Sequence, residues 1–236
     1  LIDIAVIRLP RISNFTDFNA LEYIDGVSLR YVGSVNELKE PDLIILPGTK
    51  NTISDLIWLR ECGLEAAIMK HVSRDKPLIG ICGGYQMLGL TLKDPDCVEQ
   101  GGEISGLGLL EYDTVFKKDK KTMRVEGKLE HVSGIFNKLS GANFEGYEIH
   151  MGLTDNNKNI VNNGNVYGTY IHGVFDKEDV SRVIIEALLE KKGLTTESLK
   201  TFDIKSYKES QYDILADELR KSLDMKYIYK IINSGI

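Results

Sequence analysis

Leu78-Ile79-Gly80-Ile81-Cys82-Gly83-Gly84-Tyr85-Gln86-Met87-Leu88-Gly89 passes from an apolar run through a glycine-flanked cysteine into a helical pattern. A buried strand entering Gly80-x-Cys82-x-Gly84 and then a helix is the strand–turn–helix setting of a nucleophile elbow, with Cys in place of Ser. The glycines answer a steric demand, because the turn strains the nucleophile's backbone and would drive neighbouring Cβ atoms together. A sulfur at a helix N-terminus meets unpaired N–H groups and the positive end of the dipole, which favours its thiolate. An ordinary thiol, with a pKa of ~8.5, is only a few per cent ionised at neutral pH. The bland alternative is a small buried cysteine on a tight turn; the flanking glycines favour the nucleophile.

Working outward, the first half alternates short buried-strand patterns (Ile2–Leu9, Ser28–Val32, Leu43–Leu46, Leu78–Ile81) with helical ones (Asp17–Ile24, Thr52–Glu61, Leu64–Ser73). That alternation predicts a parallel sheet with helices on both faces. Thr16 or Asp17 reads as the N-cap of the first helix. From about Leu107 to His150 the pattern lengthens into alternating stretches, which predict antiparallel strands added to the parallel core. Lys117, Lys118, Lys120 and Lys121 read as a solvated hairpin tip between two of them. A polar loop, Asp155 to Asn165, leads to a strand at Val166–Ile171. A helix opened by Asp176 covers Lys177–Lys192 and is stopped by Gly193. The remainder, 193–236, reads as a helical extension docked on the core, with helices at Tyr207–Leu223 and Tyr227–Ile232.

A thiolate needs an acid–base partner, and there are four histidines. His71 reads as a solvated helix residue and His131 as a strand-surface one. His172 ends a strand before Gly173, where α/β catalytic bases stand because ligands bind beyond the carboxyl ends of strands; by residues alone it is either that base or a structural histidine. His150 carries less of this signal. Leu46-Pro47-Gly48-Thr49 is a second strand end, whose N–H groups at Gly48 and Thr49 would either help hold an oxyanion with Gly83 or merely cap the strand. The chain has no Gly-x4-Gly-Lys-Ser/Thr loop, no Gly-x-Gly-x-x-Gly opening a helix and no Cys/His cluster at zinc spacing, so no nucleotide or metal site is expected.

Composition narrows the class. The 236 residues are 42% apolar and 27% charged, with a net charge of −6, ordinary for a globular protein and without a basic field for nucleic acid. The longest apolar runs fall far short of the ~20 residues that cross a bilayer, so no membrane partner is expected. Three separate cysteines, Cys62, Cys82 and Cys97, fit a reducing cytoplasmic setting. A start at Leu1 without Met suggests a fragment or a processed chain.

The elbow, with Arg8 to Phe18, Leu46 to Thr52, Glu145 to Gly152 and Gly168 to Phe175, resembles the class I glutamine amidotransferases. The Asn14-Phe15-Thr16-Asp17-Phe18 and Tyr147-Glu148-Ile149-His150-Met151-Gly152 segments are similar to the cobyric acid synthase branch in particular. The resemblance covers 1–192 and implies a three-layer α/β sandwich, flavodoxin-like, with added antiparallel strands and the C-terminal helical extension. It implies a glutaminase with Cys82 as nucleophile and His172 as acid and base. Gly48, Thr49 and Gly83 would form the oxyanion hole, and Tyr85 and Gln86 would line the glutamine pocket. Glu148 and His150 are either pocket residues or structural ones. No cofactor is implied in this domain; ATP and Mg would belong to an N-terminal synthetase domain, absent from this chain, which would be the partner and would carry the corrinoid substrate. Related acceptors, cobyrinic acid or a cell-wall precursor, and a non-catalytic partner-binding domain are the alternatives. Most class I glutaminases have a Glu two residues after the catalytic His, but Val174 stands there. A Cys/His dyad is therefore expected; Asp176 reads more as a helix cap than as the orienting acid, and Glu148 is the other candidate.

Overall fold

Apolar runs flanked by turn residues build the central sheet of this computed structural model, which describes residues 2–156, 158–195 and 204–234. The strands are β1 (Ile2–Ile7), β2 (Val27–Val32), β3 (Leu43–Leu46) and β4 (Leu78–Ile81). β3 and β4 are buried along their whole length, as strands covered on both faces must be. With β9 (Val161–Asn163) and β10 (Val166–Thr169) they order as β2-β1-β3-β4-β10-β9, parallel except for the edge strand β9. The first five positions have the doubly wound order in which the chain reverses direction across the sheet between β1 and β3. The α/β sandwich expected from the sequence is therefore present, while β9 lies inside the stretch read as a loop.

Helices α1 (Asn19–Glu22), α2 (Val35–Leu38), α3 (Thr52–Glu61), α4 (Leu64–Ser73) and α5 (Gly83–Leu88) fill the crossovers. Asn51 caps α3 by accepting from the Ser54 N–H at 2.8 Å. One face of the sheet packs Ala5, Ile7, Ile44 and Leu46 against Ile53, Leu56, Leu59, Leu64 and Ile68 of α3 and α4. The region expected to form a long first helix is instead a 3-10 turn, Phe15–Phe18, followed by the short α1. Neither Thr16 nor Asp17 caps it: Asn14 holds the cap position in the left-handed region, and the Asp17 carboxylate is engaged elsewhere.

A second sheet, β6-β5-β7-β8, joins β5 (Thr91–Asp94), β6 (Gly102–Ser105), β7 (Asp113–Lys128) and β8 (Asn143–Thr154). The lysines Lys117 to Lys121 are not a hairpin tip. They lie inside β7, where the pairing slips from Phe116 opposite Gly152 to Lys121 opposite His150, a bulge of extra residues on one strand. His131 falls after β7, exposed in a loop, not on a strand. The last helix of this unit, α6 (Glu178–Lys191), starts after Lys177, with Asp176 in the preceding 3-10 turn and Gly193 at φ 69° ending it.

Contacts divide the chain into two units, 1–202 and 203–236. The second holds α7 (Ile204–Ser222) and α8 (Met225–Ser234), near the expected helices. Residues 196–203 of the expected extension lie outside the described residues. Among the described residues no helix is long and apolar enough to cross a membrane, and no group of three or more His, Cys, Asp and Glu could hold a metal.

Candidate active site

The ends of β1, β3, β4 and β10 converge at the switch of strand order, where an open α/β sheet has its crevice. Cys82 follows β4 at φ 51°, ψ −109°, a strained conformation for a non-glycine residue. Its N–H donates to Thr169 O at 2.9 Å and its carbonyl accepts from Gln86 N–H at 2.9 Å, so the elbow is tied to β10 and to its own helix. Gly84 cannot be replaced here: a Cβ on it would sit 2.0 Å from the Leu46 carbonyl oxygen. The thiol is 6% exposed and lies 3.5 Å from Ile149 O of β8.

His172 brings its imidazole beside Cys82, close enough that the thiol is among the groups that raise its pKa. The ring is fully buried, and its Nδ1–H donates to Asp17 Oδ2 at 2.7 Å. The other oxygen of Asp17 accepts the Gly173 N–H at 3.0 Å. Asn14 Nδ2 lies 2.9 Å from Nδ1 and 3.1 Å from Nε2; a point that close to both nitrogens is over the ring face. Tyr147 stacks with the same ring at 5.2 Å, and the two residues exchange backbone hydrogen bonds of 2.8 and 3.1 Å. Burial alone would lower the His172 pKa, but Asp17, then Cys82, outweigh it and hold it up at about 9. The ring is therefore an imidazolium at neutral pH.

The orienting acid is thus Asp17, from the loop after β1, and neither Asp176 nor Glu148. The sequence held one signal for it. Asp17 lies in the segment that narrows the resemblance, beyond the strand next to the switch point, but an aspartate before a helical pattern reads first as a cap.

The Pro47-Gly48-Thr49 turn closes the site from β3. A Cβ on Gly48 would stand 3.0 Å from His172 Cε1 and 3.7 Å from Cys82 Cβ, and one on Gly83 would stand 3.2 Å from Thr49 N. The backbones of Gly48, Thr49 and Gly83 therefore meet beside the thiol. Thr49 Oγ1 donates to Asp55 Oδ2 at 2.5 Å, and that fully buried carboxylate also accepts from the Arg11 N–H at 3.1 Å and Nη1 at 2.9 Å. The turn is rigidly held.

Tyr85 and Gln86, expected in a pocket wall, are each 2% exposed. Tyr85 packs between Tyr112 and Tyr170 with ring centroids 4.8 and 5.0 Å away, and burial pushes its pKa up to about 12. It is a packing residue beneath the elbow helix. Gln86 accepts from Thr52 Oγ1 at 3.1 Å and donates to Tyr170 Oη at 3.2 Å, so both ends of its amide are engaged within the protein. Glu148 and His150 flank Ile149 on β8. His150 donates from Nδ1 to Gly152 O at 2.7 Å and stacks on Tyr170 at 3.7 Å, with Nε2 3.4 Å from Glu148 Oε2.

Residues 3–180 match the CobB/CobQ-like glutamine amidotransferase domain. The chain belongs to that family. It is 56% identical, over its whole length, to a cobyric acid synthase of Ruminiclostridium cellulolyticum and 52% identical to one of Lachnoclostridium phytofermentans. It spans 50% and 51% of those relatives, about half their length. Two solved structures share the fold: one described as PurLQS from Thermotoga maritima (TM-score 0.56, 22% identity) and one as a glutamine amidotransferase (TM-score 0.55, 18% identity). Each matches 81% of this chain and 99% of its own. Within that match, Cys82 stands at the elbow, His172 follows β10, and Asp17 holds the His172 ring.

Proposed function

We propose that this amidotransferase domain hydrolyses glutamine and supplies ammonia to an ATP- and Mg-dependent half that amidates carboxylates of adenosylcobyrinic acid a,c-diamide. The observation that carries the reading is a strained cysteine beside a buried imidazole whose Nδ1–H is held by a buried carboxylate. The curated relatives' printed name supports this acceptor over cobyrinic acid or a cell-wall precursor.

In the mechanism, the Cys82 thiolate attacks the side-chain carbonyl carbon of glutamine, and the N–H groups of Gly83 and of the Gly48–Thr49 turn stabilise the resulting oxyanion. The C–N bond then breaks as His172 gives its proton to the leaving nitrogen, releasing ammonia and leaving a thioester. The neutral imidazole next takes a proton from water, the hydroxide adds to the thioester, and the C–S bond breaks to give glutamate. Asp17 keeps the proton on Nδ1, so that Nε2 faces the chemistry.

Glutamate release tests the reading, measured on the chain joined to the other half its relatives carry. Cys82→Ala and His172→Ala are expected to fall to background with the fold retained. Release by Cys82→Ala at the wild-type rate would overturn it.

A further inference from the structure

The unit formed by 203–236 supplies no residue to the elbow, the histidine or the turn after β3. It falls below the ~40 residues under which a chain usually needs a disulfide, a metal or a protein partner to stay folded. It contains neither Cys nor His, and among the described residues no group of acids could hold a metal. A protein surface is the support that remains.

Both helices are patterned to be covered. In α7, Tyr212, Leu215 and Leu219 recur at i, i+3 and i+7; in α8, Met225, Ile228, Tyr229 and Ile232 keep the same period. The charges of α7 fall off its stripe and pair along the helix, Asp217 with Arg220 at 2.8 Å and Glu218 with Lys221 at 2.9 Å. Helical spacing puts Lys226 and Lys230 on the other side of α8. Yet Tyr212, Leu215, Leu219, Tyr229 and Ile232 are 45 to 66% exposed, and none of the 10 residues of α8 is buried. A helix that short is marginal in water unless its apolar face packs.

We propose that α7 and α8 are a docking element for the other half of this chain's longer relatives, their apolar stripes seated on an apolar face of that half. Similarity selects this occupant over the unit 1–202 and over a second copy. The family domain matches 3–180 and ends before α7 begins. The two fold-sharing structures are matched over 99% of their own length, while about a fifth of this chain has no counterpart in them. An amidotransferase fold is therefore complete without a part of that size and does not need it as a cover. The cobyric acid synthases of R. cellulolyticum and L. phytofermentans match the whole chain, α7 and α8 included, and run to about twice its length. The two helices thus accompany the second half and not the amidotransferase fold. A second copy would cover the stripes but would leave that pattern without a cause. The inference concerns assembly, so it goes beyond the glutaminase reading and does not depend on it.

Photo-cross-linking in the chain joined to its relatives' other half tests it. With p-benzoylphenylalanine in place of Tyr212 or Tyr229, on the stripes, irradiation is expected to join the label to peptides of the other half, identified by mass spectrometry after proteolysis. The same label in place of Lys230, on the other side of α8, should give little of that product. Leu219→Glu combined with Ile232→Glu sets two carboxylates into the contact and should lower the Tyr229 cross-link about tenfold or more. Cross-links confined to 1–202, cross-links confined to a heavy-isotope second copy, or none from either stripe would overturn the proposal, as would a yield that the double variant leaves unchanged. The cross-link needs no turnover, so absence of glutamate release would sink the glutaminase reading alone.

Discussion

At the scale of single residues, the proposed catalytic pair depends on a carboxylate that is distant in sequence and adjacent in space. Asp17 is 2% exposed, and its two oxygens hold His172 Nδ1 and the Gly173 N–H. Asp17→Asn keeps the shape but presents an amide to Nδ1–H, favouring the wrong tautomer. By the behaviour of acid-to-amide changes in Ser-His-Asp triads, kcat for glutamate release should fall about 10²–10⁴-fold with KM within a few-fold. Because Asp17 raises the His172 pKa, the alkaline limb of the residual activity should also move to lower pH. A variant with wild-type kcat would show that Asp17 only packs. Much of this site was legible: glycine spacing marked Cys82, and a strand end marked His172. Asp17 was not, because a side chain's local preference to cap a helix is visible in sequence and its use 155 residues away is not.

At the scale of elements, β3, β4, α3 and α4 match their sequence patterns residue for residue, since buried runs and capped helices announce their own ends. The misreadings fall where tertiary pairing overrides local character. Lys117, Lys118 and Lys120 look like a turn, but they form the bulge between the two stretches in which β7 pairs with β8. The segment between β5 and β6 carries little periodicity, yet it is ordered by one residue. Asp94 is fully buried and accepts N–H groups of Val98, Glu99, Gln100 and Gly101 at 2.7 to 3.0 Å. That loop sets Glu99 to accept the Ile53 N–H at 2.8 Å, at the start of α3. A carboxylate there suits the positive end of the helix. Asp94→Ala leaves four donors without their acceptor and should cost about 3 kcal/mol. Urea denaturation would measure it, and a loss below about 0.5 kcal/mol would mean that water replaces the carboxylate.

At the scale of the whole catalytic unit, two buried histidines give stability opposite slopes against pH. His71 was expected on a solvated face because Lys70, Arg74 and Asp75 surround it in sequence. Instead it is 6% exposed, with Nε2 2.9 Å from Pro77 O, and burial pushes its pKa down to about 4. The native state favours its neutral ring, while the unfolded chain binds a proton below its ordinary value of about 6.5. Its stabilisation is therefore complete above about 6.5 and is lost as pH falls towards 4. His172 behaves in reverse. Its folded-state value of about 9 makes its contribution complete below about 6.5 and lost as pH rises through 9. Allowing for solvent screening, each limb is worth on the order of 2 kcal/mol, and stability should peak near pH 6.5. Urea midpoints from pH 4.5 to 9.5 should trace that peak. Asp17→Asn should flatten the alkaline side alone, and His71→Gln the acid side alone. An alkaline limb that survives in Asp17→Asn would show that the Asp17–His172 pair does not set it, and would separate the fold's stability from its catalytic carboxylate.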